Sequence, residues 1–310
     1  MVLAQNGSGV TEVKWPVLLA HEVFALMSEK RTPQFHKTFN TSEIAEYWRQ
    51  SFEHEPPWLQ HHPMRSHIID FPHLVSAFRI FGDDTGISKN CTRPVSCLTW
   101  DADISVGDVW LNKIPVYIIP VFLQLPESGT LDSLDTVAAW SFNALSQGRW
   151  PYYDHQGEPF KPTSFRGKRA GKPLTRDKRS GALVLSVSDW DWSEKTYKFG
   201  TAWASDEICW ICTATKHDPT LDTDYCRFCR LPEKAHGAYM RSIGHRIPVC
   251  SILGWHKSLV MPEAMHCGPL GVFHLINGNL LKKLSDTDTW GDGGDFGLWY
   301  KKLNCKLLQP

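Results

Sequence analysis

The sequence predicts an α/β fold built on a mixed β-sheet, and the order of its segments is the main reason. Three apolar segments bounded by turn residues indicate consecutive strands: "LVSAFRIFGDDTG" (74–86), "PVSCLTWDADI" (94–104) and "IPVYIIPVFLQLP" (114–126). A helical segment (130–148) follows them, and "GALVLSVSDWDW" (181–192) supplies a fourth strand. Three such strands can form an antiparallel meander, and the helix then returns the chain so that the fourth strand lies parallel to the first.

The helix between the third and fourth strands is indicated by apolar residues at helical spacing. Leu134, Ala138 and Leu145 lie on one stripe, Asp132 or Ser133 can cap its start, and Gly148 can end it. Residues 1–65 also show helical patterns, with "PVLLAHEVFALMSEK" (16–30) and "TSEIAEYWRQSF" (41–52) as the clearest segments. We therefore expect a helical N-terminal region, with Thr41 or Ser42 capping the second of these helices.

The composition is that of a globular intracellular protein. The 310 residues are 42% hydrophobic and 21% charged, and 33 basic residues balance 33 acidic ones, so only local clusters could attract a polyanion. The longest apolar run, 114–126, is too short to cross a membrane and contains three prolines. Nine cysteines with two CxxC pairs favour a reducing compartment and metal binding over disulfides. We expect no membrane partner.

Two CxxC pairs separated by thirteen residues predict a structural zinc site in "CWICTATKHDPTLDTDYCRFC" (209–229). Four thiolates in two such pairs suit tetrahedral zinc, and the spacing is close to that of a zinc ribbon. The predicted ligands are Cys209, Cys212, Cys226 and Cys229. The alternative is that a histidine completes a site built on one pair, and the candidates are His217, His236 and His266.

Carboxylates at the ends of the first and fourth strands predict a second, catalytic metal site. The topology makes these ends neighbours, so that Asp83, or Asp84 on the opposite face, would lie near Asp189. If the strand persists through "SDWDW", Asp189 and Asp191 share one face while the intervening tryptophans occupy the other. Converging carboxylates suit magnesium or manganese, and Glu263 is a further candidate ligand. The alternative is that each aspartate simply forms a turn.

The segment "KPTSFRGKRAGKPLTRDKR" (161–179) is strongly basic, with Asp177 as its one acidic residue. Its glycines and prolines argue against a helix, so we expect a flexible loop beside the carboxylates that neutralises nucleic-acid phosphates. A solvated loop without a ligand is the alternative. The basic residues are Lys161, Arg166, Lys168, Arg169, Lys172, Arg176, Lys178 and Arg179.

Three motifs, in this order, resemble the transposases of the CACTA (En/Spm-like) group and proteins derived from them. They are a strand ending in "FGDDTG" (81–86), "SDWDW" (188–192) followed some twenty residues later by "CWIC" (209–212), and "PEAMHCGPLG" (262–271). The resemblance covers roughly residues 75–285. It implies an RNase H-like core with a DDE/D carboxylate triad, a CxxC after the second aspartate, and an Asp-x-Met-His segment before a long helix.

Carried over position by position, the resemblance assigns roles to individual residues. Asp83 matches the first catalytic aspartate, with Asp84 as the fallback, and Asp189 matches the second. Glu263 replaces the aspartate of Asp-x-Met-His, and His266 is retained. The family's third acid is expected beyond this segment, so we expect the chain to be truncated, with its activity decayed or incomplete.

The resemblance also implies a domain plan, cofactors and partners. We expect a helical region (1–65), an RNase H-like core (66–208), a zinc-knuckle insertion (209–235) and the C-terminal helical part of the core (236–310). The expected cofactors are structural Zn²⁺ and catalytic Mg²⁺ or Mn²⁺. We also expect a DNA partner and a nuclear location, and a homo-oligomer is left open. If active, the chain would be a DDE/D-type polynucleotidyl transferase or nuclease. The alternative is a non-catalytic, zinc-stabilised protein that binds nucleic acid or another partner.

Overall fold

The structure is a computed structural model that describes residues 2–6, 9–86, 94–105, 112–125, 129–199, 206, 209–213, 215 and 234–262. The chain divides into two compact units, Met1–Met261 and Pro262–Pro310. Of the second unit only Pro262 belongs to the described residues, so the architecture below is that of the first.

The N-terminal region begins with a two-stranded antiparallel hairpin of β1 (Val2–Asn6) and β2 (Gly9–Val13), not with a helix. The expectation of a purely helical region over residues 1–65 is therefore wrong at its start, although helices make up most of the rest. The helices of the described chain are α1 (Ala20–Lys30), α2 (Thr32–Thr38), α3 (Ile44–His54), α4 (Pro57–Gln60), α5 (Arg65–Asp70), α6 (Gly129–Gln147), α7 (Trp190–Tyr197) and α8 (His236–Ser242). Short 3₁₀ turns occupy Pro72–Leu74, Val121–Leu123, Gly244–Arg246, Pro248–Ser251 and Lys257–Leu259.

A mixed five-stranded sheet forms the centre, in the order β5-β4-β3-β6-β7. Its strands are β3 (Val75–Gly86), β4 (Pro94–Ala102), β5 (Ile114–Pro120), β6 (Ser180–Ser188) and β7 (Val260–Pro262). The strands β3, β4 and β5 pair antiparallel, and β6 pairs parallel with β3. The predicted α/β class, the meander and the parallel fourth strand are confirmed. The three-residue β7 was not predicted, because so short a segment carries no periodic pattern.

Helices cover both faces of the sheet, since alternate residues of β3 enter different cores. On one face Phe78 stacks on Phe142 of α6 with ring centroids 5.1 Å apart, and Trp100 packs beside them. On the other face Val75 and its neighbours pack against α3, where the Trp48 indole donates a 2.7 Å hydrogen bond to the Val75 carbonyl. The sheet is thus buried on both sides, as its continuous apolar strands require.

The helix boundaries show what ends and begins each element. The predicted helix α6 does stop before Gly148, which has a positive φ of 65° that suits glycine. The helix α3 begins at Ile44 with Glu43 at its N-cap. This is one residue after the expected cap Ser42 and two residues after Thr41. The strand β6 ends at Ser188, and Trp190 already belongs to α7. Consequently Asp189 and Asp191 do not share a strand face, and that expectation is wrong.

Candidate carboxylate site and cysteine knuckle

The parallel register of β3 and β6 brings the two predicted aspartates to the same place. The last paired residues are Gly82 and Ser188, and Asp83 and Asp189 are the next residue on each strand. Neighbouring strands lie about 4.8 Å apart, so the backbones of Asp83 and Asp189 come close together at the C-terminal ends of the strands. The first and second predicted acids are therefore neighbours.

Asp189 is held by its position at the start of α7. Its backbone is extended (φ −72°, ψ 177°), and its Oδ1 accepts a 2.6 Å hydrogen bond from the Trp192 backbone N–H. Aspartate is a preferred N-cap because its oxygen satisfies an N–H group that has no partner within the helix. The cap therefore fixes the carboxylate at the point where the strand becomes a helix.

A close approach at Gly82 holds α7 against β3. A Cβ atom at Gly82 would lie 2.1 Å from both Nε1 and Cε2 of the buried Trp192 indole. Only glycine leaves room for this ring, and the ring in turn sets where α7 begins. Gly82, the residue before Asp83, thus helps to position Asp189 at the start of α7.

Asp84 points to the other face of β3 and is engaged there by two neighbours. The Ser96 hydroxyl donates a hydrogen bond to its Oδ1, and the Lys195 ammonium forms a 2.5 Å ion pair with its Oδ2. Gln124 donates a 2.6 Å hydrogen bond to the same hydroxyl. These contacts give Asp84 a structural role in joining β3, β4 and α7. The charge of Asp189 also acts on Lys195, so Asp84 remains a candidate partner for Asp189 beside Asp83.

Two pKa shifts show that negative charge is concentrated at this end of the sheet. Burial alone would lower the pKa of Lys195, but the hydrogen bond and charge of Asp84, with the charges of Asp191 and Asp189, raise it. Burial raises the pKa of the Cys97 thiol to about 11, and the charges of Asp83 and Asp84 add to this effect. A cation is therefore stabilised here, and a further anion is not.

The described residues supply only part of each predicted metal site. Within the described ranges, no group of three or more His, Cys, Asp or Glu side chains lies close enough to hold a metal ion. Glu263 and His266 lie outside the described residues, and so do Cys226 and Cys229. The carboxylate pair and one CxxC pair are what the described structure contributes.

The first CxxC pair folds into a tight turn around one sulfur. The Cys209 Sγ accepts hydrogen bonds from the backbone N–H groups of Ile211 and Cys212, each at 3.4 Å. Both cysteines are half-buried, and neither forms a disulfide. A turn of this kind places the two sulfurs of a CxxC pair on one side of the chain, as ligation of a single zinc ion requires.

The basic segment 161–179 lies at the opposite end of the sheet from the carboxylates. It leads directly into Ser180, the first residue of β6, whereas Asp189 follows the last. At about 3.3 Å per residue the nine-residue strand separates these ends by about 30 Å. The expectation that the segment lies beside the carboxylates is therefore wrong. Two of its four arginines are also tethered, since Arg166 pairs with Glu22 at 2.6 Å and Arg179 with Asp177 at 2.5 Å.

A buried acid on α6 was missed by the sequence reasoning. The Tyr117 hydroxyl donates a 2.7 Å hydrogen bond to Asp135, and burial raises the pKa of Asp135 to about 7. The signal was present, because Asp135 falls four residues after Leu131 and three before Ala138, on the apolar stripe. Lys195 was missed too, since nothing in the sequence connects it to Asp84.

Comparison of the chain with protein-family models, curated proteins and solved structures found no match. Among the described residues, no helix combines the length and apolar character needed to span a bilayer. Function is therefore inferred from the carboxylates, the cysteines and the charge distribution of the chain itself.

Proposed function

We propose that this chain is a transposase-derived protein with an RNase H-like core, and that its ancestral reaction is metal-dependent DNA strand cleavage and transfer. The observation that carries the proposal is the parallel pairing of β3 with β6, which makes Asp83 and Asp189 neighbours. The sheet supports it as well, because an antiparallel meander followed by a helix and a parallel fourth strand is the arrangement expected of such a core.

Asp83 and Asp189 would hold Mg²⁺ or Mn²⁺, and the site fits such an ion. Carboxylate oxygens are the ligands that these hard cations prefer. The carboxylates at this end of the sheet raise the pKa values of Lys195 and Cys97. A bound divalent cation would neutralise this negative charge. When bound, a pair of such ions activates the attacking oxygen and stabilises the leaving oxygen of a phosphodiester.

The chain's own residues contribute position and charge balance. The N-cap bond fixes Asp189, and Trp192 against Gly82 keeps α7 in register with β3. Lys195 neutralises Asp84, so that Asp84 does not repel a bound phosphate. A two-metal site needs more than two carboxylates, and we propose Glu263, or an acid beyond it, as the third. A DNA partner and a nuclear location belong to the same proposal.

A second candidate is a zinc-stabilised protein that binds nucleic acid without cutting it. The turn around Cys209 favours it, since two N–H groups already point at a sulfur that could bind zinc with Cys212, Cys226 and Cys229. The basic segment favours it too, because it lies away from the carboxylates. Zinc would then stabilise the fold, and the carboxylates would have no catalytic part.

The test is Mn²⁺ binding by the whole protein, followed by electron paramagnetic resonance. We expect Asp83→Asn and Asp189→Asn each to weaken Mn²⁺ binding at least about tenfold, because each removes a charged ligand. Asparagine still caps α7, so Asp189→Asn leaves the fold intact. The matched control is Asp191→Asn, an exposed neighbour that should change binding less than about twofold. Unchanged binding in both site variants would refute the metal site.

Cleavage then separates the two candidate functions. Nicking of a supercoiled plasmid that needs Mg²⁺ and is lost in Asp83→Asn, but kept in Asp191→Asn, would support the transposase-derived reaction. DNA binding with no nicking at any metal concentration, together with bound zinc that is lost in Cys209→Ser, would favour the second function.

A further inference from the structure

A groove with a volume of about 1090 Å³ lies between the helices α1 and α2 and the basic segment 161–179. Its floor is apolar and buried, formed by Phe35, Trp150 and Leu174. Its rim is formed by long polar side chains from both sides. This basic groove is at the end of the sheet where β6 begins, far from Asp83 and Asp189, so it is independent of the proposed carboxylate chemistry.

The rim of the basic groove carries more positive charge than its own carboxylates neutralise. Each of the three carboxylates on the rim is already in an ion pair: Glu22 with Arg166, Glu29 with Lys30, and Asp177 with Arg179. Within the described structure, no carboxylate lies within ion-pair distance of the other cations on the rim. These are Lys168, Arg169, Lys172 and Arg176. The groove therefore presents several cations to an anionic ligand.

An exposed aromatic ring lies among these cations. Phe165 lines the groove and is 57% exposed. The Arg169 guanidinium lies over this ring at 3.8 Å from its centroid, and the Trp150 and Phe165 rings form a T-shaped pair with centroids 5.7 Å apart. One face of the Phe165 ring is thus covered by Arg169, while the residue as a whole remains more than half exposed.

We propose that the basic groove binds a single strand of nucleic acid. Cations for the backbone phosphates and an exposed aromatic ring on which a base can stack are the two components of single-strand binding sites, and the groove supplies both. The volume lies at the upper end of the range of small-ligand pockets, so the groove has room for more than one nucleotide. A duplex keeps its bases stacked inside, so it could use the cations but not Phe165.

The experiment measures fluorescence anisotropy of a labelled fifteen-nucleotide oligothymidylate with the full chain, in buffer without Mg²⁺ or Mn²⁺ and without a chelator. Zinc bound at the cysteines is then retained, and failure of the carboxylate proposal would not affect the result. The groove variant is Lys168→Gln, Lys172→Gln and Arg176→Gln together. The matched control variant is Lys14→Gln, Lys37→Gln and Arg241→Gln, which removes the same charge from exposed residues outside the groove.

We expect the groove variant to bind at least about tenfold more weakly and the control variant to stay within about twofold. Losing three phosphate contacts should also reduce the slope of log K against log salt by about 2. Phe165→Ala should weaken single-strand binding about tenfold, and leave binding of a matched duplex unchanged. Equal losses in the two charge variants, an unaffected Phe165→Ala, or no binding by the unchanged protein would each overturn the proposal.

Discussion

The contact between Gly82 and Trp192 should be one of the most sensitive points of the fold. In Gly82→Ala the new methyl group would lie 2.1 Å from two atoms of the indole, in a ring that is 1% exposed. Overpacking of a core commonly costs about 1–3 kcal/mol, and a rigid ring that cannot swing away favours the upper end. We expect about 3 kcal/mol of destabilisation, measured as the free energy of unfolding in urea.

A double-mutant cycle separates this clash from other effects of alanine in a strand. Trp192→Ala alone should cost about 3–5 kcal/mol, because it empties a large buried volume. In the double variant the Gly82→Ala methyl group enters that volume, so its own cost should nearly vanish. We therefore expect a coupling free energy of about 2–3 kcal/mol between the two substitutions. Additivity to within about 0.5 kcal/mol would refute the reasoning, since it would mean that the methyl group never meets the ring.

Two further predictions concern buried and capping acids. Because burial raises the pKa of Asp135 to about 7, the folded state binds this proton more tightly than the unfolded chain, and stability falls as pH rises from about 4 to 7. Asp135→Asn should remove this fall in the free energy of unfolding, which is at most about 4 kcal/mol. The measurement is the urea midpoint of both proteins at pH 4 and pH 7.5, and the same change with pH in both would contradict the prediction. Asp189→Ala should cost about 1 kcal/mol by losing the cap on Trp192 N–H, whereas Asp189→Asn should cost a few tenths; equal thermal midpoints would argue against the cap.

The elements that the sequence predicted are those whose pattern is repeated over many residues. The strand β3 and the helix α6 have long apolar periodicities, and Gly148 marks a clear end. The start of α7 was misjudged because alternating aspartate and tryptophan fits a strand, whereas the decisive feature is the N-cap bond from Asp189. The hairpin β1–β2 carries too little apolar pattern to distinguish it from a loop.

Within the candidate site, pairing of Asp83 with Asp189 followed from topology alone, because parallel strands end at the same edge of a sheet. The partners of Asp84 did not follow, since Ser96 and Lys195 come from distant segments whose side chains meet only in three dimensions. The place of the segment 161–179 could have been predicted. A segment that leads directly into a strand lies at the N-terminal end of that strand, and Asp189 follows the C-terminal end.

The balance of 33 basic and 33 acidic residues conceals a separation of charge along the sheet. A nucleic acid that approaches the end with Asp83 and Asp189 meets negative charge, and would be repelled unless divalent metal neutralises it. At the other end, Lys168, Lys172 and Arg176 attract the same ligand without metal. Binding without added Mg²⁺ or Mn²⁺ therefore reports on the groove, and binding or cleavage that appears only with Mg²⁺ reports on the carboxylates. Because about 30 Å of β6 lies between the groove and the carboxylates, a nucleic-acid strand held in the groove must extend along the protein before it can reach them.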